Sequence, residues 1–116
     1  MYTLKLTEHG LADVKALPKN VRNSLKKALQ QKIAVDPEFH SIALRQPLND
    51  LRSFHWGRYR VIFKVVEELS TVVIAGVGER SPQSRSNIYR RLEALAAKGR
   101  LAEGILATLR GFSGEP

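Results

Sequence analysis

The chain has no cysteine, one methionine and one tryptophan among its 116 residues. Without cysteine there can be no disulfide and no thiolate metal site, and histidines at three scattered positions, His9, His40 and His55, argue against a structural metal. No apolar run approaches the ~20 residues that a membrane-spanning helix requires. Nor does the start resemble a secretory leader: Met1 to Leu6 alternates like a strand, with no long apolar stretch and no small-residue cleavage site. These absences point to a reducing cytoplasm and away from membranes. Acidic residues are also short, 11 against 19 lysines and arginines, and the net charge of +8 favours an anionic partner.

With 43% hydrophobic content, the sequence can fill one modest core and reads as a single domain. Its charge excess sits in the middle. Residues 52–91 carry eight arginines and lysines against three glutamates, net +5, whereas residues 92–116 balance to zero. Most of the central cations are arginines, whose planar fork suits bidentate contact with phosphate. They cluster about the stretch Phe54 to Phe63, F-H-W-G-R-Y-R-V-I-F. From Tyr59 onward a strand period places Tyr59, Val61, Phe63 and Val65 on one face, and Arg58, Arg60, Ile62 and Lys64 on the other. The first face suits a core and the second presents charge.

Residues 2–6 alternate as a first strand. Thr7 and Glu8 open a short helix carrying Leu11, Val14 and Leu17 and stopped by Pro18. A second helix runs from Asn20, a plausible N-cap, to about Val35, with Val21, Leu25, Ala28, Leu29 and Ile33 in one stripe. Residues 36–50 lack periodicity and read as a loop, followed by strands near 51–56, 59–67 and 71–78 joined by short connections. Beyond Arg80 come a polar loop, a helix with Ile88, Leu92 and Leu95, an interruption at Gly99, and a last helix from Leu101 to Leu109. The expected class is α+β: a mostly antiparallel sheet, a helical hairpin on one face, and cationic residues on the other face or at its edge. Residues 1–91 are expected to form the main body, and residues 92–116 a C-terminal helical extension of the same domain.

The order strand, helix, helix, three strands joins the motifs Gly57-Arg58-Tyr59-Arg60-Val61, Val77-Gly78-Glu79-Arg80 and Arg85-Ser86-Asn87-Ile88-Tyr89. Together they resemble the RelE/ParE superfamily of bacterial toxins over residues 1–89. The resemblance implies the toxin of a type II toxin–antitoxin system, with a cognate antitoxin as partner and a complex that binds operator DNA. RelE members are metal-independent endoribonucleases that cut messenger RNA on the ribosome and so inhibit translation; ParE members poison gyrase. Arg60 and Arg80 match the two arginines of the family motifs, and Tyr89 the tyrosine that follows. Arg52 and His55 stand on the strand where RelE members carry basic residues.

Cutting RNA without a metal requires a group to take the 2′-hydroxyl proton, a group to protonate the leaving 5′-oxygen, and cations to stabilise the charged transition state. Arg60 and Arg80 suit the last task, since arginine stays protonated. Tyr89 and His55 are the candidate proton carriers. With reference values of about 10 and 6.5, the histidine needs less tuning, and both assignments stay open. Arg52, Arg58, Lys64 and Arg85 are candidate RNA contacts, and no cofactor is expected. Two alternatives compete with RNA cleavage: gyrase inhibition, and a basic binding module that performs no chemistry.

Overall fold

A computed structural model describes residues 1–79 and 87–111 of the chain. Five strands, Thr3–Leu6 (β1), Ile42–Ala43 (β2), Arg52–Trp56 (β3), Tyr59–Val66 (β4) and Thr71–Glu79 (β5), form one sheet in the order β1-β5-β4-β3-β2. β1 lies parallel to β5 and the other neighbours are antiparallel. The helices are Glu8–Ala16 (α1), Lys19–Ala28 (α2), Ile88–Ala97 (α3) and Arg100–Leu109 (α4).

The Thr7 hydroxyl accepts from Gly10 N–H and so starts α1. Leu17 leaves the helical region and Pro18 opens α2, two residues earlier than the Asn20 expected from sequence. Past Ala28 the helix widens into one π turn, in which Ala34 N–H reaches the Leu29 carbonyl at 2.8 Å. The wider turn keeps Leu29 and Ile33 buried. Residues 36–50, expected as loop throughout, contribute the two-residue edge strand β2.

Apolar side chains form a core on each face of the sheet. Under the α1–α2 hairpin lie Val14, Leu25 and Ile33 with Phe54, Val61, Phe63, Val72 and Ile74. On the opposite face Ile62, Val73 and Ala75 meet Ile88 and Leu92 of α3 and Ile105 of α4. The expectation of an open cationic face is therefore corrected over most of its length. Ile62 and Val73 are fully buried beneath the C-terminal helices, while Arg60 and Lys64, on either side of Ile62 along β4, are half-buried. Burying both faces strengthens a small domain, whose surface is otherwise large relative to its core.

Candidate active site

β3 and β4 turn over Gly57, whose φ of 58° suits the first position of a two-residue hairpin and would strain any side chain. The register sets Ser53 opposite Ile62 and His55 opposite Arg60. All four then face the α3 side by the period of two, while Phe54 and Val61 join the hairpin-side core.

Arg60 is half-buried beside this turn. Its Nη1 donates to the carbonyls of Gly57 at 2.9 Å and Tyr59 at 2.8 Å. Its Nε is buried and has no partner among the described residues. The two carbonyl bonds fix the guanidinium beside the turn.

Tyr89 is brought in by the first turn of α3. Asn87 caps that helix, its Oδ1 accepting from Tyr89 N–H at 2.9 Å. The helix can lie close because β5 offers glycine: a Cβ on Gly78 would stand 3.2 Å from Ile88 Cβ, and one on Gly76 would stand 2.9 Å from Ile88 Cδ1. The Tyr89 hydroxyl then meets the Ser53 hydroxyl at 2.9 Å, with either oxygen able to donate. Ser53 was not singled out in the sequence, although its strand parity with His55 places it on this face. His55 and Tyr89 share a cleft of about 530 Å³, walled by residues 42–46 and by Asn87, Arg90 and Glu93.

Residues 4–83 match the family described as ParE toxin of type II toxin–antitoxin system, parDE. The chain belongs to the RelE/ParE toxin superfamily. Among solved structures, the toxin–antitoxin complex RelBE2 from Mycobacterium tuberculosis contains a chain 26% identical, with a TM-score of 0.65 over 68% of this toxin and 91% of that chain. The intact Escherichia coli RelBE toxin–antitoxin complex gives 25% identity and a TM-score of 0.57, over 70% of this toxin and 99% of that chain. The isolated E. coli RelE toxin, at 22% identity, covers 82% of this toxin and 99% of its own chain with a TM-score of 0.60, a likeness of fold alone. No curated protein sequence matches the toxin.

The remaining candidates are dispersed. Arg80 and Arg85 lie outside the described residues. Arg58 is exposed in the turn, 3.4 Å from Glu79 and with its guanidinium carbon 5.4 Å from the Tyr59 ring centre. Its hydrogen bond to the Tyr59 hydroxyl, with the nearby Glu79 charge, raises its pKa. Arg52 belongs to the other side of β3, where its guanidinium donates to the Ser41 hydroxyl at 2.7 Å, the Ser41 carbonyl at 3.1 Å and the Glu38 carbonyl at 3.3 Å. Those bonds hold the segment before β2. Lys64, four residues along β4 from Arg60, lies roughly 13 Å away and lines a separate cavity with Leu48, Val66 and Leu101. Trp56 packs on the hairpin-side core, its ring centre 5.9 Å from that of Tyr59. Among the described residues no group of acidic or histidine side chains could hold a metal ion, and no helix is long and apolar enough to cross a membrane.

Proposed function

We propose that this toxin is a metal-independent endoribonuclease that cuts messenger RNA on the ribosome and is held in check by a cognate antitoxin. The observation that carries the reading is Arg60, held beside the turn on the same sheet face as His55 and the Tyr89–Ser53 pair. In the proposed reaction the 2′-oxygen attacks the adjacent phosphorus, His55 takes the 2′-hydroxyl proton, and Arg60 holds the non-bridging oxygens as charge builds on them. Tyr89 gives its proton to the departing 5′-oxygen, leaving a 2′,3′-cyclic phosphate and a free 5′-hydroxyl. Ser53, within hydrogen-bond distance of Tyr89, aims that hydroxyl. Adding the purified toxin to cell-free translation tests this: discrete messenger cuts with 5′-hydroxyl ends are expected, and intact messages would refute it.

An antitoxin partner is supported by RelBE2 and RelBE, which are themselves complexes of toxin with antitoxin, and its proposed seat is the helical hairpin. A groove of about 580 Å³ there has a floor that includes Leu4, Leu6, Leu11 and Val14, and a rim of Lys15, Lys19, Arg22 and Lys26 with no acidic residue. An acidic amphipathic helix fits that chemistry, its apolar face on the floor and its carboxylates at the rim. The assembled complex is the form proposed to bind operator DNA.

Gyrase inhibition is the second reading, favoured by the match to the ParE type of family model. Uncut messages together with inhibited gyrase supercoiling would select it.

A further inference from the structure

β1 covers β5 only from Thr71 to Ile74, and among the described residues no strand neighbours the rest of that sheet edge. One further main-chain bond and three side chains close it instead. Thr7 N–H donates to the Ile74 carbonyl at 3.0 Å, and the Thr7 hydroxyl to the Ala75 carbonyl at 3.3 Å. Val77 N–H donates to Asp13 Oδ2 at 2.9 Å, and the Val77 carbonyl accepts from Arg91 Nη2 at 3.2 Å. Asp13 and Arg91 are themselves paired, Oδ1 to Nη1 at 2.9 Å. One residue of α1 and one of α3 therefore take the donor and the acceptor that a sixth strand would have taken.

This clamp sits two residues beyond a break in the β4–β5 register. Ile62 pairs with Gly76 and Phe63 with Ile74, so Ala75 is an extra residue bulged from β5. A one-residue slip of the strand beyond the bulge would turn every following side chain to the opposite face. The pairs past the bulge are those that build the site: Arg60 opposite Gly78, and Tyr59 opposite Glu79. A slip would also remove Gly76 and Gly78 from beneath Ile88 and displace α3, which carries Tyr89.

We propose that Asp13 and Arg91 are positioning residues of the toxin's site, reading both backbone groups of Val77 to lock the register that sets Arg60 and Tyr89. Arg91 Nε is buried without a partner among the described residues, a cost that an apolar side chain packed there would avoid. The pair thus serves register more than stability. The proposal rests on the toxin assignment and is independent of whether RNA or gyrase is the target.

The test uses the full chain, induced in a bacterial host at matched protein levels, and the purified protein for amide exchange. Asp13→Ala and Arg91→Ala are expected to stay soluble and helical, to speed exchange of the Val77 amide at least about tenfold, and to shift the Arg60 Nε–Hε resonance. Surviving colonies should rise about 100-fold, the loss expected of a misplacement near 1 Å. Arg91→Lys, which retains the charge beside Asp13 but cannot bridge to the Val77 carbonyl as well, should restore part of the arrest. Asp13→Asn, with the same shape, supplies the same reading if the alanine variant is insoluble. Parental growth arrest with accelerated Val77 exchange would overturn the proposal, as would unchanged exchange in both alanine variants.

Discussion

Leu92 tests whether the second face of the sheet is a sealed core. It is 2% exposed and packs among Ile62, Val73, Ile88 and Ile105. A Cβ placed on Gly76 would lie 3.5 Å from Leu92 Cδ2, so the floor of this site is a glycine with no side chain to swing into a vacancy. Leu92→Ala should therefore leave most of its cavity open and cost about 3–4 kcal/mol, the middle of the range for such truncations. A chain of this length has a total stability on the order of 6–17 kcal/mol, so the variant should fold but melt about 15 °C lower. Leu106, half exposed on α4, is the control, and its alanine variant should lie within about 0.5–1 kcal/mol of the parent. The assay is thermal and urea denaturation followed by circular dichroism. A fall of less than about 5 °C for Leu92→Ala, or equal falls for both variants, would refute the account of α3 and α4 as the cover of a dry core.

Arg60→Lys keeps the charge but loses the fork that binds the turn carbonyls and an oxyanion together; growth arrest should weaken about 100-fold or more, with a circular dichroism spectrum like the parent's, and undiminished arrest would remove Arg60 from the site. Tyr89→Phe should lower message cleavage about 100-fold or more if the hydroxyl transfers a proton, while Ser53→Ala, which only frees that hydroxyl, should lower it about tenfold; equal small losses would make the pair structural. The Tyr2 hydroxyl donates to Glu67 at 3.0 and 2.8 Å, and that bond raises the Tyr2 pKa above its usual 10.0. The pKa is raised in the folded state, so the bond's contribution is complete below the usual value and is lost as pH climbs through the raised one. The stability gap between parent and Tyr2→Phe should accordingly close above about pH 10, and a gap that persists there in urea melts would refute the linkage.

The helical hairpin and four of the five strands were legible, most of them from a one-sided pattern: Leu25, Leu29 and Ile33 on the helix, Val61 and Phe63 on β4. The cover on the second face was signalled too, in a place easily passed over. Thr71 to Val77 is apolar at nearly every position, with none of the alternation that a half-exposed strand shows, and all seven residues are buried. Such a strand needs a layer on each side, and the C-terminal helices supply the second. β2 carried no signal, since two residues cannot display a period. In the candidate site, Arg60 was singled out by its motif and Tyr89 by its place after the motif arginines, and the structure sets both on the α3 side of the sheet. Ser53 and Asp13 were not, because a hydroxyl facing a tyrosine 36 positions away, or a carboxylate on the N–H of a strand 64 positions away, leaves no local mark.

The parallel pairing of β1 with β5 places Thr3 beside Thr71 and Leu6 beside Ile74. A ribosome adding about 5–20 residues per second therefore releases the first strand roughly 3–13 s before its neighbour exists. During that interval α1 and α2 emerge with their apolar stripe facing no sheet, and the α3 layer is still to be made. The candidate site therefore cannot assemble until β5 and α3 have followed the first strand out of the ribosome.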